Sequence, residues 1–152
     1  MKKFLLLTFS TLTYLTQAQN EAKMVLPIGH TSEVRSAQYN TSGSQIVTAS
    51  YDNTAKIWDA STGELLHTLQ GHTEWVRSAH YNASGSQIVT ASHDRTAKIW
   101  DTETGELLQT LKGHTNVIKS AIFNSEGSKL VTTSFKTVKI WDAKTGKLLH
   151  TL

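Results

Sequence analysis

The sequence contains no cysteine and only one proline among its 152 residues. The lack of cysteine excludes disulfide bonds and thiolate metal ligands, so a packed core has to hold the fold together. The net charge is also small. It is formally +3, and Lys2 and Lys3 supply two of the positive charges. A nucleic-acid-binding protein needs a clustered basic face, so we expect no nucleic-acid partner.

Long apolar runs are also absent, and the segment at 1–19 comes closest to one. Lys2 and Lys3 precede an apolar stretch that begins at Phe4, and the segment ends beside the small residue Ala18. This order is typical of a bacterial secretory signal peptide cleaved near Ala18. A membrane anchor is the alternative, but a span needs about 20 apolar residues. We therefore predict a secreted or periplasmic protein with no stable membrane span after cleavage.

The rest of the chain repeats itself. The segment that begins at Gly71 recurs at Gly29 and again at Gly113, at equal spacing on either side. The first two copies are identical at 32 of 42 positions, and a fixed period of this length indicates an array of supersecondary units. We divide the chain into a signal peptide at 1–19, an N-terminal outer strand at 20–28, and three repeats at 29–70, 71–112 and 113–152.

Each repeat is predicted to form four short strands. In the second copy they run at about Val76–Tyr81, Gln87–Ser92, Thr96–Asp101 and Glu106–Leu111. An Asn-x-x-Gly-Ser segment separates the first two strands and a Thr-Gly pair the last two, and both are signals for hairpin turns. Apolar residues occupy both faces of the resulting sheet, so each sheet needs a neighbour on either side. No helix is predicted after residue 20.

A Gly-His pair and a Trp-Asp pair stand in register in all three copies. The Gly-His pairs lie at 29–30, 71–72 and 113–114, and the Trp-Asp pairs at 58–59, 100–101 and 141–142. With the four-strand pattern, this arrangement resembles the WD-repeat family of β-propellers over about residues 21–152. The resemblance implies an all-β fold, a partial β-propeller of three four-stranded antiparallel blades preceded by a signal peptide. It also implies a non-enzymatic interaction module or scaffold with a protein or peptide partner.

The resemblance further implies a buried hydrogen-bonded tetrad of His, Ser, Asp and Trp in each blade. The matching residues are His30, Ser50, Asp52 and Trp58 in the first repeat, His72, Ser92, Asp94 and Trp100 in the second, and His114, Ser134 and Trp141 in the third. The third repeat reads Ser-Phe-Lys-Thr from Ser134, one residue shorter and without the Asp. We expect His114 to lose its acceptor, the turn to be rearranged, and this blade to be the least stable.

The recurring Asp, His and Ser also invite interpretation as a catalytic triad. We reject it, because the trio recurs in every intact repeat and its Ser would be bonded to an indole rather than exposed to a substrate. The seven histidines show no metal-ligand spacing, and no Gly-rich phosphate loop is present. We expect no enzyme activity, no metal and no cofactor.

Residues that differ between near-identical repeats are the candidates for partner binding. These residues lie in the loop before the first strand and in the turn between the second and third strands, which the family resemblance places together on the narrower top face. They include Trp, Tyr and Arg, which are common at interface hot spots. They are Glu33, Tyr51, Glu74, Trp75, His93 and Arg95. Neutral variation in solvent-facing loops is the alternative, and glycan or small-molecule stacking on Trp75 and Tyr51 is a second candidate function.

Three basic residues occupy one equivalent position on the innermost strands: Arg35, Arg77 and Lys119. They would form a basic arc that binds an anionic group or an acidic peptide, or they are simply solvated charges on an exposed strand.

Three blades are fewer than the roughly four to eight with which propellers close. The chain is therefore a piece of a longer WD-repeat protein, a homo-oligomer whose copies close one ring, or an open arc. An open arc is the least favourable of these, because bare apolar faces invite association.

Overall fold

The computed structural model describes residues 29–152, so the predicted signal peptide and the strand at 20–28 lie outside the described residues. The described part contains twelve strands and no helix, and thus no helix long and apolar enough to cross a membrane. The strands are β1 (Val34–Tyr39), β2 (Gln45–Ser50), β3 (Thr54–Asp59), β4 (Leu65–Gln70), β5 (Val76–Tyr81), β6 (Gln87–Ser92), β7 (Thr96–Asp101), β8 (Leu107–Lys112), β9 (Ser120–Phe123), β10 (Lys129–Thr133), β11 (Val138–Asp142) and β12 (Leu148–Thr151).

The strands form three antiparallel sheets of four, each in sequence order: β1–β4, β5–β8 and β9–β12. We call these sheets blades 1, 2 and 3. Two turn signals explain the order. Asn40 accepts a hydrogen bond from the Gln45 backbone at 3.1 Å, while Gly43 takes a φ of 74°, which favours glycine. The Asp of the Trp-Asp pair ties the second turn, since Asp59 accepts bonds from the backbone of Ser61 and Thr62 at 2.8 Å.

The inner strand of each of the first two blades begins with a β-bulge. The register of β1 against β2 shifts between Val34 and Ser36, and that of β5 against β6 shifts between Val76 and Ser78. The shift falls at Arg35 and Arg77, and a bulge of this kind re-aims the side chain that it carries. These two basic residues are thus placed by the backbone as well as by the strand alternation.

The blades pack side by side and share two apolar cores. Between blades 1 and 2 the core joins Val47, Ala49, Ala55, Ile57 and Leu69 to Val76, Ala79, Tyr81, Ile88 and Trp100. Between blades 2 and 3 it joins Val89, Ala91, Ala97, Ile99 and Leu111 to Ile118, Ala121, Leu130, Trp141 and Ala143. Both faces of blade 2 are therefore covered, as the two-sided apolar pattern requires.

Strands β1 and β5 differ at one position in sequence but differ greatly in exposure. Tyr39 on β1 is 62% exposed, whereas its counterpart Tyr81 on β5 is 8% exposed. Burial also raises the pKa of the Tyr81 phenol to about 12. The difference arises because blade 1 covers β5, while no described residue covers β1 in the same way.

Blade 3 has the rearranged turn that the missing Asp predicts. In the first two blades the turn before the third strand places Asn53 and Arg95 in the left-handed region, with φ of 70° and 69°. In blade 3 the Ser134 backbone donates directly to the Thr137 carbonyl at 2.9 Å, and no non-glycine residue there has positive φ. Strands β9 to β12 are also each shorter than their counterparts in the other blades.

We predict that blade 3 exchanges its backbone amide protons faster than blade 2. Its turn lacks the Asp and its strands are shorter, so local opening needs less free energy. Hydrogen exchange followed by mass spectrometry measures this, with peptides from β6 and β10 as the matched pair. Equal protection of the two strands would contradict the prediction.

Candidate partner-binding surface

A chain of hydrogen bonds links the Trp, His and Asp of each intact repeat. In blade 1 the Trp58 indole donates to the Thr48 hydroxyl at 2.8 Å, and His30 Nε2 lies 2.7 Å from the same oxygen. His30 Nδ1 lies 2.8 Å from Asp52 Oδ2. Because an indole N–H only donates and a carboxylate only accepts, the chain fits a neutral imidazole that donates from Nδ1 and accepts at Nε2.

The hydroxyl in this network comes from Thr48, Thr90 and Thr132, and the assignment of Ser50, Ser92 and Ser134 to it was wrong. Trp58 pairs with Ile46 across the sheet, so Thr48 is its diagonal neighbour on the same face. Ser50 lies two residues further along, roughly 7 Å beyond Thr48 at about 3.3 Å per residue. The register of the hairpin therefore decides between the two hydroxyls.

The glycine of the Gly-His pair packs against the indole in blades 2 and 3, whereas Gly29 in blade 1 has no such contact. Gly71 has a φ of 156°, and a Cβ placed there would lie 3.3 Å from Cη2 of Trp100. A Cβ placed on Gly113 would lie at the same distance from Cη2 of Trp141. In these two pairs the glycine allows the backbone to approach the ring, and the histidine forms part of the chain of hydrogen bonds.

The carboxylates of the intact networks stay ionised. Burial acts to raise the pKa of Asp52, but hydrogen bonds from Thr54 and His30 outweigh it and lower the pKa to about 2. Burial opposes ionisation of Asp94 in the same way, and bonds from His72 and Thr96 hold its pKa below the usual range. A charged acceptor makes stronger hydrogen bonds than a neutral one, so each carboxylate fixes its turn to the Gly-His segment.

Blade 3 replaces the missing carboxylate with a hydroxyl. His114 Nδ1 lies 3.2 Å from Thr137 Oγ1, so His114 keeps a partner and the expectation that it loses one was wrong. The rest of the chain is retained, with Trp141 donating to Thr132 at 2.8 Å and His114 Nε2 2.7 Å from the same oxygen. Burial, together with the nearby charge of Lys139, lowers the pKa of His114.

The serines position the variable loops instead. Ser92 donates to the Glu74 carbonyl at 2.8 Å and accepts from the Asp94 backbone at 3.0 Å. The backbone of His93 donates to the Trp75 carbonyl at 2.9 Å. The loop that carries Glu74 and Trp75 is thereby tied to the second strand of its blade, next to the hydrogen-bonded core.

Tyr51, Trp75 and His93 form a cluster of rings across the junction of blades 1 and 2. The Tyr51 and Trp75 rings are stacked, with centroids 4.2 Å apart and planes at 17°. Trp75 and His93 lie 5.1 Å apart at 38°. Trp75 nevertheless remains 42% exposed. Together with Arg35 and Arg77, which contact these rings, we call this cluster the Trp75 patch.

The two arginines of the patch are in different electrostatic environments. Arg35 bonds Glu33 at 2.6 Å, and its guanidinium carbon lies 5.2 Å from the centre of the Tyr51 ring. Arg77 lies 3.4 Å from the Tyr51 hydroxyl and 3.3 Å from His93 Nε2. Burial and the charge of Arg77 lower the pKa of His93. Within residues 29–152 Arg77 forms no ion pair, so its positive charge is not neutralised locally.

Lys119 makes the equivalent contact in blade 3 rather than joining the Trp75 patch. Its ammonium lies 5.6 Å from the centre of the Phe135 ring, which also has Lys136 at 5.7 Å. Each residue of the predicted basic arc therefore lies beside the ring of its own blade. Sequence reasoning left Phe135 and Lys136 out of the candidate site, although both occupy the turn that carries Tyr51 and His93 in the other blades.

Glu74 and Arg95 line a shallow recess beside the patch. The recess has a volume of about 440 Å³ and is bounded by Thr73, Glu74, His93, Asp94, Arg95 and Val117. Arg95 occupies the left-handed backbone region, where Asn53 stands in blade 1. Asn is enriched there and a long side chain is uncommon. Val117, the counterpart of Trp75 in the third repeat, is a lining residue that the sequence did not single out.

The described residues offer no metal centre, since no three His, Asp or Glu side chains in residues 29–152 are placed to hold an ion. The remaining candidate residues are side chains of loops, turns and the beginnings of inner strands, and Trp75 is the exposed Trp among them.

The comparisons with known proteins agree with the repeat pattern. The WD40 family, described as "WD domain, G-beta repeat", matches residues 22–59, 63–101 and 105–142, which together make up well over half of the chain. Each unit ends at the Asp of a Trp-Asp pair, and the second and third begin two residues before β4 and β8, so the units follow the same period with a different starting point.

Curated relatives match over a single repeat. Dynein assembly factor with WD repeat domains 1 is 46% identical in Xenopus laevis and 49% identical in Danio rerio, each over 41 residues. Human pre-mRNA-processing factor 17 is 44% identical over 39 residues. These matches cover 27% or 26% of this chain, and only 10% or 7% of the relative.

We predict that Thr90→Val destabilises the protein and changes the Trp100 indole signal. The valine leaves the buried indole N–H and the imidazole nitrogen without a partner, at about 1–3 kcal/mol per group. Denaturant unfolding measures the loss of stability, and the NMR shift of the indole proton reports the lost bond. Ser92→Ala is the matched control and should leave the indole proton unshifted. A shift in the Ser92 variant but not in the Thr90 variant would contradict the assignment.

Proposed function

We propose, from the premise that this chain belongs to the WD40 repeat family, that it is an exported, non-enzymatic module that binds a protein or peptide partner. The Trp75 patch is the proposed binding site. The observation that carries the proposal is that Trp75 is exposed yet held in place by Tyr51 stacking and by the backbone bond from His93. An exposed, immobilised aromatic is the usual centre of an interface hot spot.

The rigidity of the patch favours tight binding. A side chain that is already fixed loses little conformational freedom when a partner arrives, and immobilising a flexible one costs about 0.5–1.5 kcal/mol. The loop of Trp75 is tied to the blade by Ser92 and His93. The binding surface is therefore organised before the partner arrives.

The charges around Trp75 favour an acidic partner. Arg77 has no carboxylate within ion-pair distance among the described residues, while Arg35 is neutralised by Glu33. A guanidinium carries five donors, of which the contacts to Tyr51 and His93 occupy only part. Arg95 adds a second positive charge across the recess from Glu74. A peptide with an acidic side chain beside an apolar one complements this arrangement.

The hydrogen-bonded His and Asp residues support a structural rather than a catalytic role. In each blade the hydroxyl that contacts the imidazole also accepts from a Trp indole, so it is not presented to a substrate. A triad needs a nucleophile that is free to attack. The arrangement of Trp, Thr and His occurs in all three blades, as expected for a scaffold element.

A glycan-binding surface is the second candidate function, and the exposure of Trp75 is the observation in its favour. Aromatic rings commonly stack on apolar sugar faces, and the Trp75 ring is accessible. Tyr51 is less suitable, because Trp75 stacks on its ring and the Arg35 guanidinium lies 5.2 Å from its centre. The peptide function uses the arginines as well as the ring, so we favour it.

We predict that Trp75→Ala weakens binding by about 30-fold or more, as expected for a hot spot worth about 2 kcal/mol. A peptide-display library selected against the protein should yield acidic sequences, whose affinities are then measured by fluorescence anisotropy. Leu108→Ala is the matched control, since Leu108 is similarly exposed on the outer strand of the same blade. If Trp75→Ala leaves the peptide affinity unchanged, this site is refuted. If Trp75→Ala abolishes binding to a glycan array and leaves peptide binding unchanged, the second function is favoured.

Export is tested separately. We predict that the protein, expressed in a bacterium with its segment 1–19 in place, is recovered outside the cytoplasm with an N-terminus near residue 20. Intact-mass measurement of the extracytoplasmic fraction detects the cleavage, and replacement of Lys2 and Lys3 by Glu is the control that should block it. Recovery of the uncleaved chain in the cytoplasm would contradict export.

A further inference from the structure

The two end faces of the three-blade array are apolar and exposed. On blade 1 the exposed face carries Val34 and Tyr39, and on blade 3 it carries Ile122 and Leu152. Leu152 is 72% exposed, whereas its counterpart Leu111 in blade 2 is 1% exposed. Blade 3 also has an apolar hollow, bounded by Ile122, Phe123, Leu130, Val131 and Ile140 with Asn124 and Lys129. Side chains that are core residues in one blade are thus surface residues in another.

Every junction within the chain joins the same two kinds of face. We call the face that packs on the preceding blade the leading face, and the opposite one the trailing face. In blade 2 the leading face is Val76, Ala79, Tyr81, Ile88 and Trp100, which packs on the trailing face of blade 1, namely Val47, Ala49, Ala55, Ile57 and Leu69. The junction of blades 2 and 3 repeats this arrangement.

The free leading face of blade 1 has the residue types that are buried in blade 2. It carries Val34, Ala37, Tyr39, Ile46 and Trp58, one for one with the residues above. The free trailing face of blade 3 carries Val131, Thr133, Val138, Ile140 and Leu152, which keeps three of the five types of blade 1. No residue within 29–152 covers either face, and the two faces resemble the two sides of the junction that the chain already makes twice.

We propose that a second copy of this chain covers these faces, with blade 1 of each copy packed on blade 3 of the other. The contact is heterologous, because it joins two different faces, and such contacts either close into a ring or continue as a fibre. Propellers close with about four to eight blades. With the three blades that residues 29–152 form in each copy, two copies give six blades and three copies give nine, so the proposed closed assembly is a dimer with two identical junctions.

One inner-strand position differs between the junctions within the chain and this contact. Gln38 accepts from the Tyr81 backbone at 3.0 Å, and its counterpart His80 has Nδ1 3.0 Å from the Ala121 carbonyl. At both junctions, the residue at this inner-strand position therefore forms a polar contact with the next blade. In blade 3 the equivalent residue is Ile122, which is 44% exposed. In the dimer the equivalent geometry places Ile122 against Tyr39 of the second copy, an apolar pair.

Light scattering of the purified chain tests the proposal. We expect twice the chain mass over a range of concentrations. Tyr39→Lys and Ile122→Glu should each halve the mass, because each places a charge in both junctions. Both residues are exposed in the single chain, so circular dichroism should show an unchanged fold. Leu108→Lys is the matched control and should stay dimeric, since Leu108 is exposed although blade 2 is covered on both faces.

Mixing the two variants identifies the kind of contact. A heterologous dimer of one Tyr39→Lys and one Ile122→Glu copy has one unaltered junction and one with opposite charges, so the mass should double again on mixing. A self-symmetric contact would not be restored in this way. A monomeric wild-type chain, an open polymer, single variants that stay dimeric, or a mixture that stays monomeric would each overturn the proposal. None of these outcomes bears on the Trp75 patch.

Discussion

Each sheet of this protein is apolar on both faces, and a sheet of that kind is stable only where other sheets cover it. Blade 2 satisfies the constraint within the chain, since Ile88 and Val89 lie on opposite faces and both are fully buried. Burial of one such side chain contributes about 1.5–3 kcal/mol. Stability therefore depends on the neighbours of a blade at least as much as on the blade itself.

The same packing explains why polar groups are tolerated in the core. A buried indole N–H, imidazole and carboxylate would each destabilise the fold if unpaired, but the Trp, Thr, His and Asp of a blade satisfy one another. The chain of bonds runs from Trp100 in the third strand, through Thr90 in the second, to His72 and Asp94 beside the loops. It connects the apolar core to the loops that carry the variable residues.

The strands were largely predictable from the sequence. The predicted Val76–Tyr81, Gln87–Ser92 and Thr96–Asp101 agree with β5, β6 and β7, because hairpin signals mark their ends. The fourth strand runs from Leu107 to Lys112, one residue later than predicted at each end.

The hydroxyl of the network was not predictable from repetition alone. Thr90 and Ser92 recur equally in all three copies and lie on the same face of the strand, so only the cross-strand register separates them. The stacking of Tyr51 on Trp75 could not be predicted from the sequence either. It joins residues of different blades, and the angle between blades follows from side-chain packing rather than from any local pattern.

Near-identical repeats separate the residues that build the blade from those that present a surface. Ser92 and the His93 backbone hold the loop through main-chain carbonyls, so the side chains at Glu74 and Trp75 are free to differ from Ser32 and Glu33 without loss of the scaffold. Repetition also makes the faces of every blade similar. A leading face that fits the blade before it in the chain can therefore also meet a similar trailing face in another copy, because packing responds to shape and polarity and not to chain connectivity.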